Sequence, residues 1–369
     1  MSDIQAKVQQ VLDEAVASGA ERGVQAAVYQ NGKLVVDAAA GVTDAESNTP
    51  VTPDTLFFAT STGKGLTSTI VHVLAERGVI DYDEPIAKSW PEFAAHGKEN
   101  ATLRQALSHT IGLPEMPGDI TPEGLADWDA VCSFIAGSEP WWTPGTKTGY
   151  HALSFGYIIG EVVRRKTGKP IDEVLDEVVA GPLGISKEVF FGVPESELGR
   201  VAKLEDVEGA AEALASMPAD MPLFKAVPLG VAPQADIYNR PGYLKANVPG
   251  GGTMTARGVA RVFAALAGEV DGVRLISDER LHEVAKPAAT DEDQIFGFPA
   301  TKTLGYDFGM PFKNVTETPN EFGAGGLNGS AASIDIATGT AIAVNKNRIT
   351  MGDYSLFEKV AEVVREHVS

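Results

Sequence analysis

Strand-forming sequence sits at the two ends of this chain, with a long helical and loop-rich stretch between, and that distribution narrows the possible folds more than any other feature. Near the N-terminus, Ile4, Val8, Val11, Leu12 and Val16 fall at helical spacing over residues 4 to 18. Two apolar runs follow, Val24 to Tyr29 and Leu34 to Ala40, on either side of Asn31-Gly32. Both central residues of a type I′ turn need positive φ, so an Asn-Gly pair between such runs predicts a β-hairpin. At the far end, Ala331 to Ile336 and Thr340 to Val344 form two β-rich runs joined by Ala-Thr-Gly, and a helix is predicted at Tyr354 to His367. A further helix is predicted at Ala256 to Ala267 and an amphipathic one at Phe155 to Lys166, ending at Gly168 and Pro170. The packing this favours is α/β (α+β). The terminal strands unite in one antiparallel sheet flanked by helices, residues 1–80 and 250–369 form the sheet domain, and 81–249 are an inserted, mostly helical domain.

Composition excludes several functions. With 50 acidic against 30 basic residues the formal charge is -20, which repels a nucleic-acid backbone and an anionic membrane surface alike. The single cysteine, Cys132, permits neither an internal disulfide nor a thiolate metal site, and reads as a small core residue. The first residues lack a basic segment followed by an apolar one, and no run long and apolar enough for a membrane span occurs. These features predict a soluble, cytoplasmic protein that binds no nucleic acid and no membrane. HExxH, Walker A and GxGxxG patterns are missing too, so no cofactor or metal is predicted.

The candidate nucleophile is Ser61 in Ser61-Thr62-Gly63-Lys64, the one SxxK match in the chain, which follows Leu56-Phe57-Phe58-Ala59 and precedes the helical run Leu66 to Leu74. If a helix begins at the serine, positions i and i+3 share a face and Lys64 reaches Ser61. A serine hydroxyl needs a base to become a nucleophile, and a lysine serves when burial keeps it neutral. The tetrapeptide alone also fits a helix N-cap serine beside a solvated lysine.

The surrounding segments add specificity. Phe58 to Lys64, then Leu103 to Pro114 with its Ser108-His109-Thr110, then Pro144-Gly145-Thr146 followed by Tyr150 and Leu153 to Glu161, resemble in order the blocks of the penicillin-recognising serine hydrolases. That superfamily includes class C β-lactamases, DD-peptidases and the β-lactamase-like family VIII carboxylesterases, and the likeness to the last is the strongest. It implies a β-lactamase/transpeptidase-like fold with a site at the junction of its two regions. It also implies that Tyr150 shares a hydrogen-bond network with Ser61 and Lys64 as base in acylation, ionised with the help of the lysine's positive field. The Phe322 to Ser330 run resembles the final block, which implies an oxyanion hole made by the backbone NH groups of Ser61 and Leu327.

Two departures shift the expected substrate. Tyr150-His151-Ala152 stands where a class C β-lactamase has Tyr-x-Asn, and Ala324-Gly325-Gly326 stands where the family has Lys-Thr-Gly, His-x-Gly or Trp-x-Gly. The usual anchor for a substrate carboxylate is thereby missing, which favours uncharged acyl substrates. Literal Lys-Thr-Gly occurs at Lys147 to Gly149 and Lys166 to Gly168, but the first abuts Tyr150 and the second has the composition of a helix C-cap. Ala324, Gly325 and Gly326 are expected to let substrate lie along a strand edge, with His151 and Trp142 lining the pocket and Trp141, Phe224 and Tyr238 as further aromatic wall. A Ser-His-Asp triad is the rival arrangement, since Ala59 to Gly63 is a near miss to GxSxG, but its late histidines, His282 and His367, lie in polar helical stretches. His109 is expected to hold a turn, and Asp81, Asp83 and Glu84 to form a solvated loop.

The function these readings favour is a serine acyl hydrolase that forms an acyl-enzyme on Ser61, acting as a carboxylesterase on small to medium neutral esters. A transacylase and a D-aminopeptidase or amidase of the same fold are the alternatives within the enzyme class. A binding protein that kept the fold without catalysis is the alternative outside it.

Overall fold

The structure, a computed structural model, describes residues 3–218, 220–309 and 320–368. The stripe Ile4, Val8, Leu12 forms the buried face of helix α1 (Asp3–Ala17). The chain then runs through β1 (Gly23–Gln30) and returns as β2 (Lys33–Gly41). Asn31 and Gly32 between them have φ of 48° and 76°, the pair of positive values that the Asn-Gly sequence predicts. Helices α2 (Lys64–Glu76), α3 (Ser154–Thr167) and α4 (Ala256–Ala267) follow. Strands β3 (Asp307–Phe308), β4 (Glu321–Gly325), β5 (Ala331–Asp335) and β6 (Thr340–Lys346), and helix α5 (Ser355–Val368), complete the frame.

The terminal strands unite as the sequence predicts. One six-stranded sheet has the order β2-β1-β6-β5-β4-β3, with β1 antiparallel to β6 from Val24 opposite Lys346 to Gln30 opposite Thr340. Alternation along each strand separates two cores. Val24, Ala26, Val28, Ile342 and Val344 point toward α1 and α5, where they bury Leu12, Phe357 and Val360. Ala27, Tyr29, Ala341 and Ala343 point the other way, into the main core with Leu66 and Ile70 of α2 and Val259 and Phe263 of α4. The sheet is thus sandwiched between helical layers.

The main core also takes in Phe155, Ile158 and Val162 of α3 and Ile135 from the central region, so side chains on both sides of residues 80 and 250 share one cluster. Helix α3 ends where its sequence says it should, with Gly168 at a φ of 74°. A small sheet absent from the sequence-based expectation pairs Thr253–Met254 with both Phe57–Phe58 and Val189–Phe190. It sets the residues just before Ser61 beside the Gly250 to Gly252 segment, and Ala59 N donates to Gly252 O at 2.8 Å.

Phe357 is fully buried between the sheet and α1. Phe357→Ala removes that ring and leaves a cavity, so unfolding free energy from urea titration is expected to fall by about 3–5 kcal/mol.

Candidate active site

Ser61 lies in a 3₁₀ turn, Thr60–Gly63, that leads directly into α2. Thr60, immediately before it, has a φ of 46°, a left-handed conformation that costs a β-branched residue energy and persists where neighbours enforce it. Its hydroxyl donates to Asn328 Oδ1 at 3.2 Å, which ties the turn to the loop after β4. The glycine in the motif answers to close approach rather than to φ. A Cβ on Gly63 would lie 2.1 Å from the Gly251 carbonyl carbon, and one on Gly156 would lie 2.2 Å from Gly250 N. Gly250 to Gly252 therefore thread between the start of α2 and α3, which explains a glycine triplet that has no evident purpose in the sequence alone.

Lys64 is buried and its Nζ is held by three partners: Ser61 Oγ at 3.0 Å, Ala152 O at 2.6 Å and Gly250 O at 2.7 Å. Carbonyl oxygens only accept, so two of the amine's hydrogens are committed to them. Burial, reinforced by the nearby Lys302 ammonium, lowers the Lys64 pKa to about 7 against an opposing pull from Asp307. Near neutrality a large fraction of Lys64 is then an amine whose lone pair faces the serine hydroxyl.

Tyr150 lines the same cleft as Ser61, and its ring centre lies 4.9 Å from Lys64 Nζ. Burial raises its pKa far above that of a free phenol and the neighbouring Ser61 hydroxyl offsets this in part, so the group is protonated at neutral pH. This differs from the sequence-based expectation of a phenol ionised by the lysine field: desolvation outweighs that field. Tyr150 N donates to Asp293 Oδ1 at 3.1 Å, and the same oxygen accepts from Ile295 N at 2.9 Å and Phe296 N at 3.2 Å.

Of the other predicted site residues, Leu327 lines the same cavity as Ser61 and Tyr150. Gly326 packs so closely on the nucleophile turn that a Cβ there would lie 2.2 Å from Ala59 O. Ala324 and Gly325 line the cleft next to Ser61 and Lys64. Two predictions require correction. His151 is buried behind Tyr150, with Nε2 accepting from Leu113 N at 2.8 Å and Nδ1 bonded to Gly149 O at 2.6 Å, so both nitrogens are occupied by backbone. Burial lowers its pKa to about 4, and it is a neutral structural group, not a wall of the pocket. Trp142 is likewise buried, its indole NH donating to Thr110 O at 3.0 Å, and it packs edge-on to His151. Trp141 bonds Glu115 at 2.9 Å, whereas Phe224 and Tyr238 do line the cavity.

The remaining expectations resolve simply. His109 has a φ of 60° and accepts at its carbonyl from Gly149 N at 3.1 Å, so it does hold a turn. His282 and His367 are exposed, and neither lines the cavity, so a triad through them has no geometric support. In the segment expected to be a solvated loop, Asp83 pairs with Arg104 at 2.6 Å and Glu84 with Lys88 and Lys166, ion pairs that the sequence did not predict. Cys132 is buried in the core. Among the described residues no group of three or more His, Cys, Asp or Glu side chains is placed to hold a metal ion, and no helix is long and apolar enough to cross a membrane.

Sequence reasoning missed Lys302, Asp307, Asp293 and Tyr354, all of which line the site. For Asp293 a signal existed, since an Asp that starts a turn ending in Gly297 commonly caps the amides after it. Above these groups lies a cavity of about 600 Å³ whose walls are mostly apolar, including Phe58, Leu214, Met217, Met221, Phe224 and Val227.

A serine at a strained turn, backed by a half-neutral buried lysine and capped by a tyrosine, in a sheet-and-helix frame of this topology, defines a penicillin-recognising serine hydrolase. The chain belongs to the beta-lactamase family, which it matches over residues 8–364. It is 32% identical over 357 residues to Esterase/beta-lactamase LipL of Mycobacterium tuberculosis, spanning 92% of this chain and 81% of that one. The crystal structure of a family VIII carboxylesterase superposes with a TM-score of 0.88 at 33% identity, covering 99% of this chain and 98% of that one. A penicillin-binding protein homologue from Caulobacter crescentus gives a TM-score of 0.84 at 30% identity, with 99% and 97% covered.

Because Gly63 touches the Gly251 backbone, Gly63→Ala must displace either Ser61 or the Gly250 carbonyl that holds Lys64. Its kcat/KM toward an activated ester is expected to drop about 100-fold, the usual effect of an ångström-scale misplacement. Gly137→Ala, at a position where a Cβ meets nothing within 4 Å, is expected to leave kcat/KM unchanged.

Proposed function

We propose that the protein is a carboxylesterase that forms an acyl-enzyme on Ser61 and hydrolyses neutral esters of small to medium size. The observation that carries this reading is the Lys64 amine, bound to Ser61 Oγ and two carbonyls and brought to a pKa of about 7, beneath a serine that opens onto an apolar cavity. The names of LipL and of the family VIII carboxylesterase support it. So does the end of β4, where Ala324, Gly325 and the following Gly326 present no cationic side chain to a substrate carboxylate.

In this reading Ser61 Oγ attacks the ester carbonyl while its proton passes to neutral Lys64. The oxyanion that forms is held by the backbone NH groups of Ser61 and Leu327. Tyr150, protonated and beside Ser61 in the cleft, donates to the departing alkoxide and recovers its proton from Lys64. Collapse of the tetrahedral centre leaves the acyl-enzyme and an alcohol, and water then attacks the acyl carbonyl by the same relay in reverse and releases the acid. The apolar walls receive the acyl chain, and each methylene they cover contributes about 0.8 kcal/mol.

Reaction with a fluorophosphonate probe is expected to add one adduct, mapped to Ser61 by peptide mass, and the adduct should be lost in Ser61→Ala and in Lys64→Ala. No adduct on folded wild-type protein would sink the hydrolase reading and leave a binding protein in its place. The lysine must be neutral to accept the proton, so kcat/KM is expected to rise with pH through about 7, where Lys64 loses its charge. Across p-nitrophenyl esters, kcat/KM should increase roughly fourfold per added methylene until the cavity is filled. A flat series would show that the cavity does not receive the acyl chain.

A further inference from the structure

Strand β4 brings no cation to the serine, yet the cleft contains one from elsewhere. Lys302 and Asp307 line the same cleft as Ser61, Lys64 and Tyr150. Lys302 Nζ lies 5.3 Å from the Tyr150 ring centre, and Lys64 Nζ lies 4.9 Å from it, so two amine-bearing side chains flank one phenol ring. Lys302 is ion-paired to Asp307, with side chains only 9% and 20% exposed. An exposed pair of this kind would be screened by water, whereas this one faces a cleft with little solvent to weaken its field.

The turn that carries the pair is held by the catalytic helix itself. Ser68 Oγ donates to Gly305 O at 2.7 Å, His72 Nε2 meets Leu304 O at 2.9 Å, and Thr69 Oγ1 meets the Tyr306 hydroxyl at 2.9 Å. Gly305 makes the turn possible, with a φ of 97° and a Cβ position only 2.4 Å from Ser68 Oγ. Three fully buried polar side chains on α2 thus fix where Lys302 and Asp307 stand relative to Lys64, one turn earlier on the same helix.

We propose that Lys302, clamped by Asp307 and by the turn that α2 holds, is a positioning residue of the reaction, its fixed positive charge keeping the Lys64 amine in the neutral form that accepts the Ser61 proton. The proposal rests on the acyl-enzyme reading above. Lys302 lowers the pKa of Lys64 and Asp307 raises it, so the two partners oppose each other at the base. Other groups around them do not compete near neutrality. Burial keeps His72, His109 and His151 uncharged and Tyr150, Tyr238, Tyr306 and Tyr354 protonated, and the Asp293 carboxylate oxygen is occupied by backbone amides.

The test is the pH profile of kcat/KM for p-nitrophenyl butyrate, an uncharged ester that no carboxylate anchor can favour, in wild type, Lys302→Met, Lys302→Arg and Asp307→Asn. Removing a like charge raises the pKa of Lys64, so the acidic limb of Lys302→Met should move up by about one pH unit, a tenfold loss on that limb. Lys302→Arg keeps the charge and should keep the limb, which separates charge from packing. Asp307→Asn removes the opposing charge and should move the limb down, and it decides the matter alone if Lys302→Met does not fold. Limbs unmoved in every folded variant, with Ser61 still labelled by fluorophosphonate, would overturn the role of Lys302 and leave the esterase intact. Wild-type protein that neither labels at Ser61 nor turns over would overturn both.

Discussion

The burial of one lysine amine between two backbone carbonyls is the constraint on which the rest of the site depends. Ala152 O and Gly250 O come from two widely separated segments that both follow α2 in sequence, and each must approach within hydrogen-bond distance of Nζ. The glycine triplet has to pass against Gly63 and Gly156 for its carbonyl to arrive, and the small sheet through Thr253 and Phe58 holds that passage in register. An ammonium in such surroundings gains two strong acceptors and loses bulk water. The loss is the larger effect, and it is what brings the Lys64 pKa down to about 7.

Desolvation acts in the same direction on nearly every titratable group nearby. It lowers Lys64, His109 and His151 and raises Tyr150 and Tyr238, in each case favouring the uncharged form. Alongside these uncharged groups the Lys302–Asp307 ion pair lines the same cleft, under walls that are mostly apolar. The aromatic contacts of Phe58 with Tyr238 at 5.1 Å and Tyr243 at 5.5 Å build one of those walls from the residues immediately before the nucleophile. Packing and chemistry therefore draw on the same short segment.

Much of this was legible in the residues, for physical reasons that also mark where legibility stopped. The hairpin at Asn31-Gly32 and the helices at 256–267 and 154–167 rest on local rules of turn chemistry and periodicity, and local rules can be read from a line of text. Ser61 with Lys64 was readable as spacing on one helix face. Tyr150 was readable through the resemblance of its flanking segments, but its protonation was not, because desolvation is a property of what surrounds a ring in space. His151 and Trp142 were misplaced for a related reason: adjacency to Tyr150 in sequence does not say which face of the loop meets the cavity, and backbone partners at Gly149, Leu113 and Thr110 draw both side chains inward. Lys302 carried no signal at all. Its proximity to Lys64 depends on hydrogen bonds spanning more than two hundred residues, such as Ser68 to Gly305.

The pairing of β1 with β6 has a consequence for how the molecule comes into being. Val24 finds its partner in Lys346 and Gly326 closes on Ala59, so the sheet and the turn at Ser61 are completed by segments that come far later in the chain. Contacts of such long sequence separation form late, because the intervening chain must first give up its freedom. A partly made chain that already carries Ser61, Lys64 and Tyr150 consequently lacks the edge that packs against the turn at Ser61. Topology thus makes the surroundings of Ser61 one of the later parts of the molecule to be assembled.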